Sequence, residues 1–141
     1  NAPKYKNFGY QFPREVAIVK EGIASPQKMP YFTVSDNLLA LAKKALMNVD
    51  TIKMPSGKPI KISIGGNGVT GSVFVDSAKY RMWLQDDFNA QVTEMESAAV
   101  GQVCFITNVD WFVIRSVSDL AVGHNGQNDE SVFNAFASCT G

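Results

Sequence analysis

Histidine and cysteine are scarce in this sequence, which contains one histidine and two cysteines in 141 residues. The sequence therefore has too few histidines for a histidine-rich metal site and offers almost no basis for a complete Ser-His-Asp triad. We interpret His124 as a solvent-exposed loop residue. Two cysteines are too few for a disulfide scaffold. Cys104 lies in an apolar run, which favours a buried and unreactive thiol. Cys139 could pair or stay free, so the redox compartment is left open, and no metal or other cofactor is expected.

Net charge and long apolar runs are also lacking. Thirteen basic and thirteen acidic side chains cancel to a formal net charge of zero. Without a basic excess to displace counterions, nucleic acid is not an expected partner. No apolar run approaches the roughly 18 residues of a membrane-spanning helix, so no membrane partner is expected. A chain that is 45% hydrophobic and 18% charged has the composition of a globular domain rather than of a disordered segment.

The two ends of the sequence suggest a piece of a longer polypeptide. The chain begins Asn-Ala-Pro, without an initiator methionine or a leader pattern. It stops soon after a helical-looking run at residues 132–136, which has the pattern of a helix that would continue. We therefore expect more polypeptide than these 141 residues.

Spacing of apolar residues and capping residues predict alternating strands and helices. The predicted strands and extended runs are 15–19, 61–64, 69–75 and 110–115, and the predicted helices begin at Ser35 or Asp36, at Asp76 and at Met95. The third helix shows one apolar face, made of Met95, Ala98, Ala99, Gln102, Val103 and Ile106. Asn67-Gly68 favours a hairpin or loop over a phosphate-binding turn. This alternation is typical of an α/β sandwich with a mostly parallel sheet.

Polar residues follow two of these elements, and each has a structural and a functional interpretation. Glu94 and Glu96 precede the third helix, where acids complement the helix dipole, or where one carboxylate could bind both hydroxyls of a ribose. Asp119 follows the apolar strand 110–115 and either caps the next segment or serves as a general acid that keeps its proton against apolar neighbours. Arg115 could then be a structural partner of a nearby carboxylate.

Three stretches, at residues 68–76, 92–100 and 113–121, together resemble the nucleoside phosphorylase superfamily. The most similar branch is that of the methylthioadenosine/S-adenosylhomocysteine nucleosidases, and the resemblance runs from about Phe8 to Phe136. Within the superfamily, the amino-acid sequences of the three stretches are most similar to those of the plant bark and vegetative storage proteins. The resemblance implies a three-layer α/β/α sandwich with a mixed, mostly parallel sheet. Residues 1–141 would form the C-terminal portion of one such domain.

The resemblance also implies roles for individual residues. Asp119 matches the catalytic acid that protonates the purine base near N7. Glu96 matches the carboxylate that binds the ribose hydroxyls. The rest of the implied substrate site is Met95 against the sugar, Phe74 stacked on the base, Val75 with its backbone at the base edge, Ser118 beside the acid, Glu94 and Arg115. The chain departs from the nucleosidase pattern before the aromatic residue, where it reads Thr-Gly-Ser-Val-Phe at 70–74 instead of beginning Ser-Gly-Asp, which leaves base specificity open.

We therefore expect a domain that recognises a purine nucleoside of the adenine type and cleaves its N-glycosidic bond in a plant storage-protein setting. Hydrolysis by a nucleosidase is favoured, and attack by phosphate, as in a nucleoside phosphorylase, is left open. The alternative is a nutrient-reservoir protein that keeps the nucleoside pocket without turnover. Expected partners are a purine nucleoside or adenine, further copies of the chain in a homo-oligomer, and an N-terminal segment that supplies the water-activating carboxylate. By the same resemblance, the expected location is vacuolar or secreted.

Overall fold

The computed structural model describes residues 13–50, 53, 57 and 59–121. The elements in chain order are β1 (Val16–Ile18), β2 (Gln27–Met29), α1 (Asp36–Leu46), β3 (Asn67–Thr70), α2 (Ala78–Phe88), β4 (Ala90–Glu94) and α3 (Ser97–Thr107). The interpretations of His124, Cys139 and the helical-looking run 132–136 lie outside the described residues.

The predicted first strand and first helix are confirmed. β1 pairs antiparallel with β2, with Val16 opposite Met29. Ser35 caps α1, because its side chain accepts a hydrogen bond from the Leu38 amide. Asp36 in the first turn and two lysines in the last turn complement the helix dipole. A capping residue followed by apolar residues at helical spacing is thus enough to define α1.

β3, α2 and β4 form a strand–helix–strand unit. β3 and β4 are parallel and α2 connects them, packing against β4. The helix predicted from Asp76 is present, but its N-cap is Ser77, whose side chain accepts from the Tyr80 amide. It ends at Phe88, and its C-cap residue Asn89 has a left-handed backbone with φ of 50°. The hairpin or loop predicted at Asn67-Gly68 is wrong: these residues open β3, with an irregular register between them, and pair with the parallel strand β4.

Two predicted strands are absent from the described residues, at 61–64 and 110–115. A β-strand needs a second strand with which to form hydrogen bonds. Residues 110–115 are held by other contacts, made by Trp111. The Trp111 carbonyl accepts from the Ser35 amide at 2.8 Å, and its indole N–H donates to the Thr33 carbonyl at 3.0 Å. These contacts hold residue 111 beside the start of α1, and no ladder continues from it among the described residues.

The apolar face predicted for the third helix is not the face that it buries. Gly101 is the buried residue of α3, while Val103 on the predicted face is exposed. A Cβ atom at Gly101 would lie 2.5 Å from the Trp111 ring and 2.9 Å from Phe32, so the indole packs where no side chain stands. Met95 precedes the helix, which begins at Ser97. Because α3 itself carries apolar residues on all of its sides, their spacing in the sequence did not identify the side that it buries.

The described residues thus form an α/β structure with two two-stranded sheets and three helices, compatible with the predicted fold class. Its buried apolar residues are Ile18, Trp83, Leu84 and Ala121. Each described helix has 11 residues, and none of them is long and apolar enough to cross a membrane.

Candidate functional site

The carboxyl ends of β3 and β4 meet the beginning of α3. Thr70 and Glu94 are paired residues at the ends of the two parallel strands. The Gly71 amide donates to the Glu94 carbonyl at 2.9 Å, which continues the pairing one residue further. α3 starts at Ser97, three residues after β4 ends. This edge of the sheet is where ligands collect in open α/β structures.

The Glu94 carboxylate is buried, with 8% of its side chain exposed. Its Oε2 atom accepts hydrogen bonds from the Glu96 amide at 2.9 Å, the Ser97 amide at 2.7 Å and the Ser97 hydroxyl at 2.8 Å. The Thr70 hydroxyl donates to Oε1, and Arg115 forms an ion pair with Oε2. Burial raises the pKa of Glu94, but the hydrogen bonds from Thr70, Glu96 and Ser97 outweigh burial and lower that pKa below its usual value.

Glu96 differs from Glu94 because its side chain is 63% exposed. Its Oε2 accepts a hydrogen bond from Arg115 Nη2 at 2.8 Å, and the same nitrogen lies 3.2 Å from the Ser97 hydroxyl. Arg115, 34% exposed, therefore bridges the buried and the exposed carboxylate. We call Thr70, Glu94, Glu96, Ser97 and Arg115 the carboxylate cluster.

Glu94 and Glu96 were given two interpretations, helix-dipole complementarity and ribose binding, and each residue fits a different one. Glu94 accepts from the amide of the N-cap residue Glu96 and from the Ser97 amide that begins α3, which is the helix-dipole role. Glu96 occupies the N-cap position of α3 but makes no side-chain capping hydrogen bond there. Its carboxylate is held by Arg115 and is accessible, so it is the member of the pair that could accept hydrogen bonds from a diol.

Asp119 lies in a separate loop. The Ser118 hydroxyl donates to Oδ2 at 2.6 Å and the Ala121 amide donates to Oδ1 at 2.8 Å, so both carboxylate oxygens have a partner. Arg81 of α2 donates to the Leu120 carbonyl and holds this loop against the helix. The apolar wall expected around Asp119 is not formed by its chain neighbours, since Val117 and Leu120 are exposed. No hydrogen bond or ion pair within the described residues joins Asp119 to the carboxylate cluster.

Three further residues of the predicted substrate site border this region. Phe74, 67% exposed, and the half-buried Val75 lie in the connection from β3 to α2. Met95 is exposed and lies between β4 and α3. All three therefore sit in segments that leave the carboxyl ends of the two strands. The structure shows no group of three or more metal-ligating side chains among the residues it describes.

Sequence reasoning missed two members of the carboxylate cluster, Thr70 and Ser97. Thr70 was placed inside an extended run 69–75, so the strand end at residue 70 was not recognised. Ser97 lies within the stretch 92–100 that resembles the superfamily, but no role was predicted for it. A polar residue at the last position of a parallel strand is the signal that identifies Thr70.

A second concave region lies at the other end of α3. It is an open groove of about 460 Å³ between residues 29–35 and the end of α3, and Cys104 lines it. Cys104 is a free thiol, half-buried rather than fully buried as expected. Lys20 donates to the Phe105 carbonyl at 2.7 Å and lies 4.6 Å from the centre of the Phe105 ring. These contacts complement the negative end of the helix dipole.

Comparison with known proteins defines the class. A family model described as the phosphorylase superfamily matches residues 4–139. The chain therefore belongs to the phosphorylase superfamily. The resemblance to this superfamily seen in the sequence is confirmed.

Curated relatives refine the comparison. The chain is 29% identical over 102 residues to a 5'-methylthioadenosine/S-adenosylhomocysteine nucleosidase of Staphylococcus saprophyticus, covering 72% of this chain and 40% of that protein. It is 42% identical over 69 residues to the enzyme of the same name from Staphylococcus aureus strain JH9, covering 48% of this chain and 28% of that protein. The chain thus spans well under half the length of these relatives. No solved structure matches it.

Proposed function

We propose that the protein binds a purine nucleoside of the adenine type and cleaves its N-glycosidic bond. The observation that carries this proposal is the state of Glu96, an accessible carboxylate held by Arg115 at the carboxyl edge of two parallel strands. A carboxylate has two acceptor oxygens, and a ribose offers two adjacent hydroxyl donors. The nucleosidase relatives support the same substrate class.

The chemistry assigns complementary tasks to the two ends of the substrate. Breaking the bond leaves positive charge on the sugar and negative charge on the departing base. A carboxylate at the sugar and an acid at the base both stabilise that separation. Glu96 would serve the sugar and Asp119 would protonate the base, with the Ser118 hydroxyl fixing the Asp119 carboxyl. Phe74 is accessible for stacking on the base, and Met95 for packing against the sugar.

The finer parts of the proposal follow from the sequence resemblance. They are hydrolysis rather than phosphorolysis, a three-layer sandwich of which residues 1–141 form the C-terminal portion, a homo-oligomer, a plant storage setting and a vacuolar or secreted location. The two relatives described above are bacterial nucleosidases, and no observation favours the alternative of a reservoir protein without turnover.

The test is an assay of adenine release by the full-length protein from methylthioadenosine and adenosine, followed by chromatography, with and without phosphate. Release of adenine and a free sugar without phosphate is the expected result. Release that requires phosphate would overturn hydrolysis but retain bond cleavage. No release from either nucleoside would contradict the proposal, and adenine binding without release would favour the reservoir alternative.

A further inference from the structure

Thr70 makes two hydrogen bonds through one hydroxyl group. Its Oγ1 accepts a hydrogen bond from the Ala98 amide at 2.9 Å and donates one to the Glu94 carboxylate. The direction of both bonds is fixed, because an amide N–H can only donate and an ionised carboxylate can only accept. The single hydroxyl proton of Thr70 is therefore committed to Glu94.

These bonds compensate for a missing cap on α3. The first turn of a helix leaves amide groups without a partner inside the helix, and a side chain at the N-cap commonly satisfies one of them. Here the N-cap residue Glu96 provides no such bond. Glu94 of β4 accepts from the Glu96 and Ser97 amides, and Thr70 of β3 accepts from the Ala98 amide. Side chains at the ends of β3 and β4 thus accept the hydrogen bonds that an N-cap side chain would otherwise accept.

Glu96 is placed by this arrangement. Its backbone is held through its amide by Glu94, and its carboxylate is held by Arg115, which also binds Glu94. Thr70 is hydrogen-bonded both to the Glu94 side chain and to the turn that follows Glu96. A change at Thr70 would therefore reach Glu96 by two routes, through the carboxylate of Glu94 and through the backbone of α3.

We propose that Thr70 is a positioning residue for recognition of the sugar: its hydroxyl aligns Glu94 and the first turn of α3 so that Glu96 and Arg115 face the ribose. This inference rests on the proposed function, because it requires a nucleoside as ligand. Thr70 need not touch that ligand. Its effect is specific to the sugar half of the substrate, because the bonds it makes lead to Glu96 and not to the loop of Asp119.

The test compares Thr70→Val, which keeps the shape and removes the hydroxyl, with Thr70→Ser, which keeps the hydroxyl. In the full-length protein, Thr70→Val should lower kcat/KM for methylthioadenosine about tenfold to a hundredfold, as expected for loss of a hydrogen bond to a charged group. Adenine affinity measured by calorimetry should stay within about twofold, because adenine has no ribose. Thr70→Ser should restore kcat/KM.

The matched control is Thr107→Val, which removes a hydroxyl that bonds the Val103 carbonyl at the other end of α3. It should leave kcat/KM unchanged. Unchanged kcat/KM in Thr70→Val, an equal loss of adenine affinity, or failure of serine to rescue would each overturn the proposal.

A second measurement separates this inference from the proposed function. Carbon-13 NMR of the Glu94 carboxyl gives its titration midpoint, which should rise in Thr70→Val and return toward the wild-type value in Thr70→Ser. If the wild-type protein releases no adenine, the proposed function fails, and the Glu94 midpoint still decides whether Thr70 holds this carboxylate. An unchanged midpoint in Thr70→Val would overturn the link between Thr70 and Glu94.

Discussion

Glu94 and Glu96 are separated by a single methionine, yet their carboxylates have different surroundings. Glu94 is 8% exposed and accepts hydrogen bonds from several protein groups, so it has little capacity left for a ligand. Glu96 is 63% exposed and is held on one oxygen by Arg115. Glu94 is therefore part of the support, and Glu96 is the residue available to a substrate.

Asp119 gives the prediction that belongs to the residue scale. Asparagine in its place keeps the size and can still donate a hydrogen bond, but it has no acidic proton to transfer to a leaving base. Asp119→Asn should keep adenine affinity within a few-fold and reduce adenine release from methylthioadenosine by ~10²–10⁴, the usual effect of losing a general acid. Calorimetry and the release assay on one preparation measure both quantities.

The matched control for this variant is Asp87→Asn, which makes the same chemical change at an exposed residue of α2. Adenine release by Asp87→Asn should equal that of the wild type. If Asp119→Asn also released adenine at the wild-type rate, Asp119 would have no part in the reaction.

At the scale of elements, the beginning of α3 depends on the charge of Glu94. The pKa of Glu94 is lowered in the folded protein, so the folded state favours the ionised carboxylate. The stabilisation is present above the unfolded-state pKa of about 4.3 and is lost as the pH falls through the folded-state pKa. The free energy of unfolding should therefore fall as the solution is acidified below that value.

Glu94→Gln tests this dependence. At neutral pH, the free energy of unfolding of this variant should be lower than that of the wild type by about 1.5–3 kcal/mol, because charge-assisted hydrogen bonds are lost. Between pH 5 and pH 3, its free energy of unfolding should change less than that of the wild type. Urea unfolding followed by circular dichroism across this range measures both effects. Glu15→Gln is the control, because Glu15 is exposed and forms a long ion pair of 3.7 Å with Lys28. An identical pH slope in Glu94→Gln and the wild type would contradict the account.

The elements also show what local sequence can predict. α1 was predictable because Ser35 caps it, and α2 because a capping residue was expected at Asp76, one residue before its actual N-cap Ser77. Residues 110–115 have the composition of a buried strand, but their position depends on hydrogen bonds of Trp111 with Thr33 and Ser35, which are distant in sequence. The hairpin predicted at Asn67-Gly68 is wrong for a similar reason, because β3 pairs with β4 across the intervening helix α2 and not with the adjacent run 61–64.

The candidate site was partly predictable from the rule for strand ends. That rule and the sequence motif identified Glu94, Glu96 and Arg115, which the structure brings into one cluster. It did not identify Thr70, because the end of β3 was placed five residues too late. It also did not show which glutamate is buried, because burial of Glu94 depends on Thr70 and Arg115 packing around it from other segments.

At the scale of the whole molecule, many large apolar side chains are exposed to solvent. Residues 112–120 expose several large apolar side chains, and Ile114 is 81% exposed. Apolar surface of this extent is typical of faces that contact other polypeptide. We therefore predict that the 141-residue chain expressed alone associates, giving a light-scattering mass above the 15.4 kDa of one copy. A monomer of that mass with a single cooperative melting transition would contradict this prediction.

The most direct measurement of the central claim is the affinity of Glu96→Gln for a nucleoside and for the free base. If Glu96 binds the ribose hydroxyls, methylthioadenosine should bind about tenfold to a hundredfold more weakly, from loss of a charge-assisted hydrogen bond, while adenine affinity stays nearly unchanged. Glu21→Gln, an exposed glutamate far along the chain from the carboxylate cluster, is the matched control and should change neither affinity. Calorimetry on the full-length proteins gives the ratio of the two affinities. A Glu96→Gln protein with the wild-type ratio would show that this carboxylate does not recognise the sugar.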